Sequence, residues 1–214
     1  MRTANLRALA LVGLALLAIL ASGCSLLSRK PSEEKLLSAL ASDDREARRQ
    51  ALLEVEPTQG APDVRKAVEG ILANDLDPTT RGLAADALGR LGSRESAAEL
   101  RLSARKDVHW VVRQRALRAL VQILGGDAAE DIEFSLKSDP APAVRVEAVK
   151  LAADTLDAKK AALLLVESLK DTAGEVKLTA HAELKVLTGA DFSPNDYKRW
   201  RELVEKPQAA PENK

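Results

Sequence analysis

Few residues in this sequence could do chemistry, and their spacing says more than their number. There is one cysteine, Cys24, directly after Ala21-Ser22-Gly23. A sole cysteine forms no intramolecular disulfide, so Cys24 is free, paired between chains or modified. Two histidines, His109 and His181, are the only imidazoles available for proton transfer or metal ligation. His109 stands beside Trp110 in a predicted turn, where both are expected to be exposed. His181 shares a column with Leu53, Ala85, Leu117 and Val149, which predicts a packed histidine. No His–Glu pairs recur, and there is no Cys/His cluster, phosphate-cradling glycine loop or nucleophilic serine motif. No catalytic residue, metal site or cofactor is therefore expected.

The carboxylates are more regular. Asp43, Asp75, Asp107, Asp139 and Asp171 recur at a constant step of 32 residues, and a base stands six residues after each: Arg49, Arg81, Arg113, Arg145 and Lys177. Such a row of carboxylates could bind calcium. One residue type at one place in five successive turns points instead to architecture. An Asp there can accept backbone N–H groups at the start of the next helix, favoured by the helix dipole. The base can pair with that Asp or with its neighbour in a stack. Two apolar columns keep the same register: Leu36, Val68, Leu100, Ile132 and Leu164 seven residues before each Asp, and Leu52, Ala84, Ala116, Ala148 and Ala180 three after each base.

These columns need helices to position them. Composition agrees: hydrophobic residues make up 46% but aromatics only 2%, beside 30% charged residues, a mixture rich in helix formers. Each 32-residue unit predicts a short helix ending before the Asp, a turn (Pro78; Pro140 and Pro142), and a longer amphipathic helix such as Val144–Ala152. Gly60, Gly92, Gly125 and Gly189 mark the turns to the next unit. A single pair cannot bury its apolar face, whereas stacked pairs share a continuous core.

The run Asp-Pro-x-Pro-x-Val-Arg-x-Glu-Ala-Val at Asp139–Val149 resembles the short HEAT-like repeats, the group that includes bilin-lyase repeats. So do Asp77-Pro78-Thr79-Thr80-Arg81 with Ala84, Ala85, Ala87 and Leu88, and the segment Asp43–Val55. The resemblance covers about residues 36–190. It implies an all-α fold, an α-solenoid (superhelix) of five 32-residue HEAT-like helix pairs, right-handed in its stacking. Leu187-Thr188-Gly189-Ala190-Asp191-Phe192, followed by Tyr197 and Trp200, is similar to the ending of many bacterial HEAT-repeat proteins. It implies a C-terminal capping helix from Ser193-Pro194 to about Glu205, with Phe192 and Trp200 over the last apolar face.

The N-terminus has the layout of a secretory signal. Arg2 and Arg7 precede the apolar stretch Ala8–Leu20, and at 16 residues Ala8–Gly23 falls short of the roughly 20 that span a bilayer. Ala21-Ser22-Gly23-Cys24 resembles the lipobox of bacterial lipoproteins. That resemblance implies lipidation of Cys24, cleavage before it and acylation of the new terminus. The expected organisation is then a signal peptide at 1–23, a lipidated tether at 24–35, a repeat solenoid with its cap at 36–205 and a disordered tail at 206–214. The expected location is the periplasmic side of the cell envelope, the outer membrane rather than the inner because Ser25 follows the cysteine.

Net charge is zero, and without Arg2 and Arg7 the mature chain carries 30 basic against 32 acidic side chains. So even a balance argues against nucleic-acid binding. One patch stands out: Arg105, Lys106, Arg113, Arg115 and Arg118 gather near His109 and Trp110. Arg113 belongs to the repeated column, which leaves His109, Trp110, Arg115 and Arg118 as the candidate partner-binding set, since Arg and Trp are enriched at interface hot spots. The expected function is a membrane-anchored interaction scaffold, its partner a protein, with an acidic segment or an anionic envelope glycan fitting the patch. Competing readings are a lyase-type HEAT-like enzyme and a passive structural spacer.

Overall fold

Aspartate, proline and glycine set where the helices start and stop. In the computed structural model, which describes residues 33–57 and 62–206, Asp77 caps the helix Pro78–Leu91. Its carboxylate accepts the backbone N–H of Thr80, and Pro78 occupies the first turn, where no N–H is needed. That helix stops at Gly92, whose φ of 68° is a left-handed conformation that costs glycine little. Gly189 ends Gly174–Thr188 in the same way, at φ 69°.

In chain order the helices are α1 (Glu33–Leu40), α2 (Arg45–Glu54), α3 (Pro62–Asn74), α4 (Pro78–Leu91), α5 (Ala97–Lys106) and α6 (Trp110–Leu124). They continue as α7 (Ala129–Ser138), α8 (Pro142–Thr155), α9 (Ala158–Ser168), α10 (Gly174–Thr188) and α11 (Tyr197–Glu205). Short 3₁₀ turns, Arg94–Ser96 and Gly125–Ala128, lead into α5 and α7. Among the described residues there is no strand.

The chain divides into two compact units, Met1–Leu36 and Leu37–Lys214. The described part of the first is the opening turn of α1, with Leu36 buried. Within the second, the longer helices pack in series, α2 on α4, α4 on α6, α6 on α8 and α8 on α10, and α3, α5 and α7 form a second series beside them. These are the layered contacts of an α-solenoid. The core lies between the layers. Ala84, Ala116, Ala148 and Ala180 are all fully buried, as are Leu88, Leu120, Ala152 and Leu184. Each buried leucine contributes about 1.5–3 kcal/mol of transfer free energy. Small residues bring α4 and α6 close: a Cβ built at Gly89 would lie 3.2 Å from the Ala119 Cα.

The structure differs from the sequence expectation at both ends. Helix α1 begins at Glu33, so Glu33–Lys35 are helical rather than tether. Helix α11 begins at Tyr197 and not at Ser193, because the Asp196 carboxylate accepts the Arg199 N–H and caps it there. The signal segment 1–23, Cys24, the tether through residue 32, Gly60 and residues 207–214 lie outside the described residues.

Candidate interaction surface

The repeated aspartates follow the shorter helix of each pair. Asp107 and Asp139 are the C-caps of α5 and α7. The side chain turns toward the residue two further on: the Asp75 carboxylate accepts the Asp77 N–H at 2.9 Å, Asp107 that of His109 at 2.8 Å, Asp139 that of Ala141 at 2.8 Å and Asp171 that of Ala173 at 2.7 Å. These N–H groups belong to the residues that open the longer helices α4, α6, α8 and α10, so each of these aspartates accepts a backbone N–H at the start of the next helix without itself being that helix's N-cap. A different residue occupies that N-cap, Asp77 in α4 and His109 in α6.

The arginine of one turn reaches the aspartate of the next. Arg81 donates Nε and Nη2 to the two carboxylate oxygens of Asp107, at 2.7 and 2.9 Å. Arg113 does the same to Asp139, at 2.7 and 2.8 Å, and Arg145 to Asp171, at 2.7 and 2.8 Å. The third nitrogen, Nη1, donates backward to the backbone carbonyl of the arginine's own turn, Asp75, Asp107 and Asp139 respectively. Each guanidinium thus uses its planar fork on one carboxylate and its remaining edge on a carbonyl, a geometry lysine cannot reproduce. Hydrogen bonding to the facing carboxylate raises the pKa of all three arginines. On Asp107 and Asp171 burial works to raise the carboxyl pKa. The arginine fork and the backbone N–H outweigh it, so both stay below the ordinary carboxylate range.

The first turn departs from the 32-residue column. There Arg48, not Arg49, donates Nε to Asp75 at 2.8 Å and Nη1 back to the Ser42 carbonyl at 2.8 Å. Ser42 Oγ accepts the Asp44 N–H, the part that aspartate plays in the later turns. The structural step from Ser42 to Asp75 is thus 33 residues, and Asp43 and Arg49 stand outside the ladder. Arg49 instead pairs with Asp77 at 2.9 Å and with Glu46 at 2.6 Å. At the far end Lys177 helps to lower the pKa of Asp171, the carboxylate that Arg145 holds.

The candidate partner patch is arranged differently from a free cationic cluster. Trp110 opens α6 with 46% of its surface exposed, and His109 beside it is exposed. Arg115 is turned to α4, where Nη1 meets Asp86 at 2.6 Å, and Arg118 to α8, where Nε meets Glu147 at 2.8 Å. The two guanidiniums therefore diverge and tie α6 to both neighbours, leaving 33% and 51% of the side chains exposed. Arg105 is drawn away from the patch altogether: with Arg101 it pairs with the buried Asp131, and its guanidinium lies 4.7 Å from the Phe134 ring centroid. No column announces this triad, since Asp131 lies outside the 32-residue spacing of the turn aspartates.

His181 sits among the aromatics at the C-terminal end. Its Nε2 is 2.8 Å from the Phe192 carbonyl and its ring meets Trp200 edge-on at 5.8 Å. Trp200 is fully buried, donates Nε1 to the Ser193 carbonyl and lies 5.0 Å from Phe192. A cleft of about 290 Å³ nearby is lined by Ala158, Ala162, Leu187 and Leu203 with Lys159 and Lys206 at its margin. Another, of about 350 Å³, holds Arg48 and Asp75, already paired with one another. Among the described residues no group of three His, Cys, Asp or Glu side chains could hold a metal ion, and no helix is long and apolar enough to cross a membrane.

Comparison with curated proteins returns no match. The family model described as HEAT repeats matches residues 33–121, which span α1 to most of α6, and that match supports a HEAT-repeat protein.

Proposed function

We propose that this protein is a non-catalytic interaction scaffold, held at a bacterial envelope membrane through a lipidated Cys24. The observation that carries the reading is the series of helix pairs over the stretch matched as HEAT repeats. HEAT repeats generally mediate protein–protein interaction, because stacked pairs present a continuous surface on a core each repeat shares with its neighbours. We extend the repeat to five copies, ending with α10, on the ground that Arg145 holds Asp171 with the same fork that Arg81 and Arg113 use earlier. In this reading α11 serves as the cap, since it packs on α9 and buries Trp200.

The partner surface is assigned to the middle of the array, with Trp110 as its anchor and Arg115 and Arg118 at its flank. The half-exposed indole supplies contact area at low entropic cost, whereas the paired guanidiniums supply orientation and association rate. The partner is a protein presenting an acidic segment, or an anionic envelope glycan of similar charge.

Two measurements test the reading. Metabolic labelling with a fatty acid, followed by membrane fractionation, is expected to mark the wild-type chain and not Cys24→Ala, which stays unprocessed or leaves the membrane. A photo-crosslinking amino acid at position 110 is expected to capture one defined product in cells, lost in Arg115→Ala/Arg118→Ala. A Cys24→Ala variant that matures and fractionates like the wild type overturns the anchor. Absence of any crosslinked product at position 110 overturns the partner surface.

A further inference from the structure

The longer helices cover one another along the series, and among the described residues the last one keeps an exposed stripe. On α4, a Cβ at Gly82 would lie 2.9 Å from the Arg115 side chain of α6, and Asp86 bonds Arg115. On α6, Gln114 and Arg118 both bond Glu147 of α8. These are the positions that meet the next helix. At the same 32-residue step α10 carries Leu178 and Ala182. Leu178 is 65% exposed and Val186, one turn beyond Ala182, is 80% exposed. The exposed residues of α10 are Gly174, Glu175, Leu178, Ala182, Lys185 and Val186. At 100° per residue they occupy one stripe, about a third of the helix circumference. Helix α11 packs on α9, in the other layer, and leaves this stripe open.

We infer that this stripe of α10 is a self-association surface, and that two copies of the chain pair through it about a twofold axis, with the two α10 helices antiparallel. Two observations select a second copy as the occupant. The first is charge register. In an antiparallel pair centred at the level of residue 180, Leu178 faces Ala182 of the second copy, and Glu175 faces Lys185 of the second copy, each contact made twice. An apolar centre flanked by two opposite-charge pairs is complementary to itself, the requirement for an isologous interface. Lys185 also pairs with Asp191 of its own chain at 2.7 Å, an exposed contact that leaves its ammonium free to take a second carboxylate.

The second observation is the opposite end of the series. The positions of α2 that correspond to Arg115 and Ala119 of α6 are Gln50 and Glu54, joined to each other at 2.8 Å. Leu53, 57% exposed, is the one large apolar residue exposed on α2, and it stands among Arg45, Glu46, Gln50 and Glu54, so that side offers Leu178 only a narrow and mostly polar contact. Head-to-tail stacking of copies would set Leu178 and Val186 against that polar side, whereas pairing of like ends gives Glu175 and Lys185 each an opposite charge and sets the apolar residues at the centre. About six residues per copy is small against the roughly 20–30 a side of a standard interface, so the dimer is weak and concentration-dependent.

Sedimentation velocity of the full chain in detergent, over a concentration series, tests this. The wild type is expected to move from monomer to dimer as concentration rises. Glu175→Lys alone and Lys185→Glu alone each set like charges in apposition, and each is expected to weaken association at least about tenfold. The double variant Glu175→Lys/Lys185→Glu restores opposite charges and is expected to recover the dimer, while Leu178→Arg abolishes it. All three positions, Glu175, Leu178 and Lys185, are exposed, so far-UV circular dichroism should match the wild type in every variant. A wild type that stays monomeric across the series overturns the inference. So does a double variant as impaired as the single ones, which would mean that Glu175 and Lys185 do not face each other.

Discussion

The Arg113 guanidinium joins two successive turns at once: its fork grips both oxygens of the Asp139 carboxylate at 2.7 and 2.8 Å, while Nη1 donates to the Asp107 carbonyl at 2.9 Å. Both side chains are nearly buried, 10% and 5% exposed. Removing either partner strands the other in a low-dielectric site.

Asp139→Ala is accordingly expected to destabilise the fold by about 3–5 kcal/mol, well beyond the usual cost of a lost cap. Arg113→Ala should cost a similar amount. The paired replacement Arg113→Met/Asp139→Leu should recover part of the loss, because two apolar groups leave no unpaired charge. Chemical denaturation of the three variants checks this. A loss from Asp139→Ala no larger than that from an exposed control such as Asp127→Ala would remove the ladder from the stability account.

The carboxylates of the ladder also set an acid limit. Asp107 and Asp171 are held below their ordinary pKa of 3.8 in the folded chain. A depressed folded-state value means that the unfolded chain takes up protons first, so these groups contribute their full stability only above the unfolded-state value. Their contribution falls as pH drops through the lower folded-state values. Thermal melts are therefore expected to change little from these two groups above about pH 5 and to fall steeply below about pH 4. In Asp107→Asn/Asp171→Asn the acid-side slope should be shallower. An unchanged slope would count against the assignment.

The first turn offers a test of register. Arg48→Ala leaves the buried Asp75 carboxylate without its guanidinium, so it is expected to destabilise more than Arg49→Ala, whose partner Asp77 keeps both the N–H and the hydroxyl of Thr80. Asp43→Ala, at an exposed turn position, should stay within about 0.5 kcal/mol of the wild type. Equal losses from Arg48→Ala and Arg49→Ala would return the first turn to the 32-residue column.

Close approach of α4 and α6 makes Gly89 intolerant of larger side chains. A Cβ there would lie 3.1 Å from the Ala119 Cβ and 3.2 Å from its Cα, so Gly89→Val should cost about 1–3 kcal/mol through overpacking. The flexible Gln122 side chain, the nearest neighbour, can move aside, and the α6 backbone cannot. A melting temperature equal to that of the wild type would show that the two helices separate without penalty.

The Arg115–Asp86 and Arg118–Glu147 pairs should contribute little by comparison. Both arginines are substantially exposed, and double-mutant cycles are expected to give couplings below about 1 kcal/mol, diminished further by salt. Couplings as large as that of Arg113 with Asp139 would make these pairs part of the fold's main stabilisation.

What the sequence by itself determined was the helical class and the recurrence of a turn. Alanine and leucine columns at fixed spacing, with glycines such as Gly92 and Gly189 behind them, describe local periodicity, which a chain expresses through contacts a few residues apart. The register of the first turn was not legible: a serine can accept the same turn N–H as an aspartate, so Ser42 leaves no mark in a column of acids, and the adjacent Arg48 and Arg49 are indistinguishable by type. Partner choice was equally hidden. Whether Arg81 binds the aspartate of its own turn or that of the next depends on how far one helix pair is displaced from its neighbour. The same displacement turns Arg115 to Asp86 and Arg118 to Glu147, although the two arginines lie only three residues apart. Tertiary structure alone decides such pairings, because they join residues 26 to 29 positions apart, across surfaces that meet only when the helices stack.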